Sequence, residues 1–307
     1  MFLKAQKGNN QFWRYLVTLS VVMIVWRVIG GIPLEAFIEY NSLLVSEIIA
    51  LNDILLHFRF SRNTIFFLLL LPTVLSFGVL LWMIKALHGR TFTDTTTGST
   101  QFRWERFFKG FFLWTVFSAL ILGARVLMMP NSIYWSFQPA AFAGLLVLSL
   151  LLLPIQTGFE EFFFRGYLLQ GLQLLTKNKW LAVLLTSLVF ALFHILNPEV
   201  KAFGMTLAMP FYLMFGLLFG VITVLDNGLE LAWGVHAGHN IFLCLFINHQ
   251  DSAFQTPAML RSMEVNPTMN LVFFTIACTI FFGVCWKWFG WPFTEPPIIA
   301  ATESLDG

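Results

Sequence analysis

The chain has 307 residues, 58% hydrophobic, 17% aromatic and 11% charged, with a mean hydropathy of +0.76 and a formal net charge of +2. A soluble domain carries roughly a quarter charged residues and a disordered chain combines low hydrophobicity with high charge, so both classes are excluded, and a charge this small gives no grip on nucleic acid. At about 20 apolar residues per membrane crossing there is room for roughly seven to nine transmembrane helices and no separate soluble domain.

In chain order the predicted crossings are 15–32, 64–87, 107–129, a long stretch from Pro139 past Pro154, then 180–197, 203–225, 229–248 and 269–289. They are long continuous apolar runs. Lipid requires each segment to satisfy its own backbone groups, so they read as helices, whereas a barrel would show short alternating segments. The fold class is therefore all-α, a polytopic membrane protein of about eight transmembrane helices. The first run contains Arg27, is long enough to cross, and lacks an A-x-A site, so it is expected to be retained and not cleaved as a signal peptide.

With the N-terminus inside, the inner segments and span edges carry Lys4, Lys7, Arg14, Lys85, Arg90, Arg103, Arg106, Lys109, Lys177, Lys179 and Lys287. The outer segments carry Arg59, Arg62, Lys201 and Arg261. This imbalance places both termini in the cytoplasm. The outer segment 34–63 holds Glu35, Glu39, Glu47 and Asp53 among apolar residues and is expected to form an amphipathic surface helix. The stretch TFTDTTTGST at 91–100 reads as a polar loop, and the proline-bearing tail from Trp291 as a flexible end. Cys244, Cys278 and Cys285 lie in apolar runs with no CxxC, and are expected to pack and not to form a disulfide or zinc cluster.

Charges within lipid cost at least about 2.5–3.5 kcal/mol each, so those inside apolar runs need a reason. Arg27 and Arg125 lie toward the outer ends of their spans and are expected to snorkel. Glu230 sits at the inner edge of its span and reads as a solvated carboxylate. The run GFEEFFFRGYLLQGL differs, because Glu160 and Glu161 are flanked by four phenylalanines. At about 100° per residue, Arg165 projects about 40° from Glu161 but about 140° from Glu160. Glu161 and Arg165 thus form an i,i+4 pair, and Glu160 is left for a partner on another helix. His194 ends the run VFALFH, and His236 and Asn240 share a helix face at i,i+4 spacing. His239 lies about 60° from His236 and could be a neighbour or face lipid. A hairpin turning at Lys177-Asn178-Lys179 returns Glu160 and His194 to similar depth, within about 3 Å. For this the stretch from Pro139 is read as one long kinked helix; two separate segments would also fit the pattern.

Glu160-Glu161-x-x-x-Arg165, Phe190-x-x-x-His194 and His236-x-x-x-Asn240, in that order on apolar helices, resemble the motifs of the CPBP family of intramembrane proteases. That family includes CAAX endoproteases that trim prenylated proteins and bacterial enzymes linked to bacteriocin processing and self-immunity. EEFFFRGYLLQGL is similar to its first motif and WGVHAGHN to its last, and the resemblance covers residues 139–248. It implies helices around a buried polar cavity, Glu160 and His194 activating water, His236 and Asn240 stabilising the oxyanion, and Glu161 and Arg165 bracing the first motif. It divides the chain into N-terminal transmembrane helices with the outer amphipathic segment (1–138), a catalytic core (139–248), and a last helix with its tail (249–307).

Amide hydrolysis needs an activated water and donors aimed at the developing oxyanion, and histidine and asparagine both carry N–H donors. The expected activity is intramembrane cleavage of a membrane-embedded or lipid-anchored protein or peptide, with no cofactor and no nucleic acid. The plasma membrane of a prokaryote is the preferred location, since the loops are short. Zinc is the closest chemical rival, because two glutamates and two histidines could ligate it. However, no HExxH is present and Glu161 is accounted for by Arg165, so a metal-independent enzyme is preferred. Two non-proteolytic functions compete with this one: a non-catalytic membrane partner or immunity protein of the same fold, and a proton-coupled transporter. The sequence lacks the repeated broken helices expected of such a transporter.

Overall fold

The computed structural model describes residues 2, 7–42 and 61–291. Its helices are α1 (Phe12–Ile24), α2 (Ile32–Ser42), α3 (Arg62–Met83), the short α4 (Phe92–Thr96), α5 (Trp104–Met128), α6 (Pro139–Glu161), α7 (Leu169–Thr176), α8 (Lys179–Phe193), the short α9 (Pro198–Phe203), α10 (Met205–Leu225), α11 (Glu230–Phe246) and α12 (Pro267–Phe289). Among the described residues six helical rods are long and apolar enough to cross a membrane: Phe12–Tyr40, Arg62–His88, Trp104–Met128, Pro139–Thr176, Met205–Leu225 and Pro267–Phe289. The chain is an all-α polytopic membrane protein. The fifth and seventh predicted crossings are helices as well, but α8 has 15 residues and α11 has 17. At 1.5 Å per residue these reach about 22 and 26 Å, short of a hydrocarbon core of about 30 Å. The amphipathic segment is described only as far as α2, and Glu47, Asp53 and the tail beyond Trp291 lie outside the described residues.

The stretch from Pro139 is one continuous rod of 38 residues. Pro154 sits inside α6, and a π turn over Phe162–Leu168 links it to α7. The rod ends at Lys177, in the left-handed conformation, and Asn178 then caps α8 by accepting the N–H groups of Trp180 and Leu181. The hairpin therefore turns at the three residues expected from the sequence.

Glycine sets the closest approaches between helices. α5 and α11 run parallel: Arg103 meets Glu230 at one end, Gly110 faces the backbone of Leu231, and Gly234 and Gly238 face the carbonyls of Phe107 and Phe111. α8 and α10 run antiparallel, with Gly216 against Ser187 and Gly220 against Val183. α6 and α11 are also antiparallel, with Gly158 on the Trp233 ring. Helices in lipid associate through such small-residue contacts, because a lipid tail is as apolar as leucine and burial alone favours nothing. Buried aromatic side chains, Phe159, Phe162, Phe164, Tyr167 and Trp114 among them, fill the space between the rods.

Two charges depart from expectation. Glu230 is fully buried, not solvated: Arg103 donates to it from Nε (3.0 Å) and Nη2 (2.6 Å), and Asp226 adds an ion pair to Arg103 at 3.0 Å. The loop before α5 folds over the start of α11, which removes the water a terminal carboxylate would otherwise meet. Arg125 does not snorkel but is buried and donates to Ser262 Oγ at 3.0 Å. Arg27 is exposed, its guanidinium 4.7 Å from the Trp26 ring. The predicted loop 91–100 contains α4, started by a capping box in which Thr91 Oγ1 accepts the Asp94 N–H and Asp94 accepts the Thr91 N–H. At the opposite end of the bundle β1 (Ile133–Trp135), β3 (Leu260–Ser262) and β2 (Ile247–Asn248) form a small sheet in the order β1-β3-β2. Strands of two or three residues are too short to leave a periodic signal in sequence.

A Cβ at position 234 would lie 1.9 Å from the Phe107 carbonyl oxygen, whereas at Gly78, inside α3, it would meet nothing within 4 Å. Gly234→Ala is therefore expected to cost about 1–3 kcal/mol and Gly78→Ala to be neutral or stabilising. Thermal midpoints in detergent, compared side by side, check this.

Candidate active site

The candidate residues come from three rods. α6 presents Gln156, Glu160 and Glu161 at its C-terminal end, with Arg165 in the π turn that follows. His194 is the C-cap of α8, and His236, His239 and Asn240 lie in the middle of α11. Glu160, His194, His236 and Asn240 all line one cavity of about 540 Å³, together with Gln156, Tyr212 and His239. Glu161 and Arg165 do not line it; they lie behind it.

The rear layer is built around a buried guanidinium. Arg165 has 1% of its surface exposed and Glu161 none. Arg165 Nη1 donates to Glu161 Oε1 at 3.0 Å and Nη2 to the Gly216 carbonyl at 3.3 Å, with the Phe190 and Phe219 rings 4.5 and 5.1 Å from the guanidinium carbon. The expected i,i+4 pair is present. Glu161 does more than hold Arg165, because the same Oε1 receives His236 Nδ1 at 2.8 Å. A carboxylate beside a guanidinium is an acceptor only, so Nδ1 carries the proton. This turns His236 Nε2 toward Glu160, whose Oε2 lies 3.7 Å away.

Glu160 holds the front layer. Its Oε1 accepts from Gln156 Nε2 at 2.5 Å, while Gln156 Oε1 accepts from Asn240 Nδ2 at 3.1 Å. Its Oε2 is buried and has no hydrogen-bond partner. One oxygen is thus fixed and the other is not. A polar chain runs from Asn240 through Gln156, Glu160, His236 and Glu161 to Arg165, tying α6 to α11.

His194 reaches the cavity from α8. Its Nδ1 lies 2.7 Å from the Phe190 carbonyl, an acceptor, so Nδ1 is the donor and Nε2 of the neutral ring keeps its lone pair. Stacking on Tyr212, centroids 4.4 Å apart, holds the ring plane. Tyr212 in turn accepts from Asn197 Nδ2 at 3.0 Å. His239 faces inward and not toward lipid: Trp114 Nε1 donates to its Nδ1 at 3.1 Å.

Sequence reasoning missed Gln156 and Tyr212. Gln156 is uncharged, so a search for costly charges passes over it, although a polar residue four positions before Glu160 in an apolar run was a usable signal. Tyr212 gave none, because tyrosine is ordinary in a membrane helix. Among the described residues no group of three His, Cys, Asp or Glu side chains is placed to hold a metal ion.

A model of type II CAAX prenyl endopeptidases, Rce1-like, matches residues 139–242, which include all the cavity-lining and rear-layer residues described above but not Trp114, the partner of His239. Over 297 residues the chain is 30% identical to the uncharacterized protein YyaK of Bacillus subtilis (strain 168), an alignment covering 94% of this chain and 95% of that protein. With the three motifs in order on the helices that build the cavity, the chain belongs to the CPBP family of CAAX-type membrane proteases.

Proposed function

We propose that the protein is an intramembrane endopeptidase that cleaves a peptide bond of a membrane-embedded or lipid-anchored protein or peptide, using water activated by Glu160 and His194 without a metal. The observation that carries this reading is the unpartnered Glu160 Oε2, buried on a residue that lines the same cavity as His194, His236 and Asn240. A water molecule that gives one proton to Glu160 and is oriented by the His194 Nε2 lone pair can attack a carbonyl held in the cavity. The carbonyl oxygen becomes an oxyanion, Glu160 passes the proton to the departing amine, and the two halves separate. His236 and Asn240 are the donors for that oxyanion. Because His236 Nδ1–H is given to Glu161, donation from Nε2 requires the imidazolium. Its charge is balanced locally, since Glu160 and Glu161 oppose only Arg165. Gln156 holds both Glu160 and Asn240 and is a positioning residue. The distribution of Lys and Arg supports an orientation with both termini in the cytoplasm, and the short loops favour the plasma membrane of a prokaryote.

Comparative membrane proteomics of wild type against Glu160→Gln tests the assignment. At least one peptide is expected to lose its processing in the variant, with insertion and thermal midpoint unchanged. A phenotype that survives substitution of both Glu160 and His194 would instead indicate a non-catalytic partner. Once a substrate is in hand, Asn240→Ala is expected to lower kcat about 10²–10³-fold, as loss of one oxyanion donor does. Treatment of the purified enzyme with 1,10-phenanthroline should leave the rate unchanged; inhibition that zinc reverses would favour the metalloenzyme.

A further inference from the structure

A second cavity, of about 250 Å³, adjoins the first and shares with it Phe211, Tyr212, His239, Asn240 and Leu243. It runs between the C-terminal halves of the parallel helices α5 and α11, and its walls are mostly apolar, Leu207, Ile247, Leu271 and Phe274 among them. Its far end is not apolar. Arg125 lies there with 9% of its surface exposed, one donor on Ser262 Oγ and a buried Nε that has no partner. Among the described residues no carboxylate lies within ion-pair distance of this guanidinium. Glu199 lines the same cavity but is engaged elsewhere: Oε1 accepts the Ala253 N–H at 2.7 Å and Oε2 the Tyr212 hydroxyl at 3.5 Å. His249 and Asn270, also in the wall, each have a buried atom with no partner, Nδ1 and Oδ1. Burial pushes His249 down to about 4, which leaves Arg125 as the fixed cation of this end.

A buried charge without a counter-ion is expensive, and several kcal/mol per ion is typical even after relaxation. Arg165 in the same bundle is compensated by Glu161, while Arg125 is not. The junction of the cavities is also committed. Trp114 can only donate, so His239 Nδ1 is the acceptor, the proton of the neutral ring sits on Nε2, and Nε2 has no protein acceptor among the described residues. It is a free donor at the junction of the two cavities. From Trp114, beside His239, to Arg125 is eleven residues along α5, about 16 Å. An extended chain covers that distance in about five residues.

We propose that the second cavity is the subsite for the leaving side of the substrate, taking an apolar peptide segment that presents a carboxylate to Arg125 about five residues beyond the one held at His239. The carboxylate can be the chain terminus or an acidic side chain; both offer the bidentate acceptor that a guanidinium matches. Apolar side chains fill the walls, and His239 Nε2 holds a backbone carbonyl at the entrance. The assignment rests on the peptidase reading for its direction, but not for the existence of the anion site.

Binding separates the two. The probe is a dansyl-labelled apolar pentapeptide of leucine and phenylalanine in three forms: free C-terminal carboxylate, C-terminal amide, and amide with glutamate as the last residue. Affinity for full-length Glu160→Gln protein in uncharged detergent is read by fluorescence anisotropy, with empty micelles as the blank. One or both acidic forms are expected to bind at least about tenfold more tightly than the plain amide, and the form that does identifies the source of the carboxylate. Arg125→Gln is expected to remove that preference without weakening the amide, and Arg125→Lys to keep part of it. Equal affinity of all three peptides for the protein that retains Arg125 overturns the subsite, whether or not the Arg125 variants fold. So does a preference abolished by adding phosphatidylglycerol to the micelles, which would give Arg125 to a lipid headgroup. A flat profile in a protein whose Glu160-dependent cleavage is established removes the subsite alone. A clear acid preference in a protein that never cleaves removes the peptidase and leaves the anion site.

Discussion

A guanidinium enclosed by Phe190 and Phe219 in the middle of a membrane protein is expensive to bury unless a carboxylate meets it there, and Glu161 is that carboxylate. The pairing is local, one helical turn apart, and forms whatever the other helices do. Its consequences are not local. Glu161 Oε1 is also the acceptor for His236 Nδ1, so the ion pair selects which nitrogen of His236 carries the fixed proton and turns the other toward Glu160. The division of labour between two adjacent glutamates follows from this. Glu161, behind the cavity, holds both Arg165 and His236 through Oε1, whereas Glu160, on the cavity wall, has an oxygen without a hydrogen-bond partner.

That arrangement also depends on how closely α11 approaches α6 and α5. The glycines at 158, 234 and 238 let the rods touch, backbone against ring and backbone against backbone. Without that approach Asn240 would not reach Gln156, nor His236 reach Glu161, since hydrogen bonds weaken steeply beyond about 3.2 Å. At the far end of the same seam, Arg103 closes over Glu230 and Asp226 and ties the loop before α5 to the start of α11. The parallel α5–α11 pair therefore acts as a frame, with ion pairs at one end, the cavity-lining His236, His239 and Asn240 in the middle and Arg125 at the other end.

Much of the fold was legible because lipid leaves few choices: a long apolar run must be a helix, and its edges can be counted. The site was legible for a related reason. A charge or an imidazole in such a run is costly, so Glu160, Glu161, Arg165, His194 and His236 stood out against leucine and phenylalanine, and Asn240 was picked out by its i,i+4 spacing from His236. Residues at the ends of rods were read less well. Glu230 and Arg125 lie where water or headgroups are the default partners, and only the folding of a loop or a small sheet over them decides otherwise. Gln156 was missed because an amide costs less than a charge and draws less notice.

By itself, then, the sequence determined the class of protein, the helical rods, the local pairing of Glu161 with Arg165 and the shared faces within each helix. All of these follow from a repeat of about 3.6 residues and from the cost of charge in hydrocarbon. Tertiary structure alone decided that α8 and α11 stop short of membrane length, that two cavities meet at His239, and that one oxygen of Glu160 is tied down while the other is free. These outcomes depend on the rotation and spacing of one helix against another, which glycine contacts and side-chain volumes set, and no periodicity along a single chain encodes them.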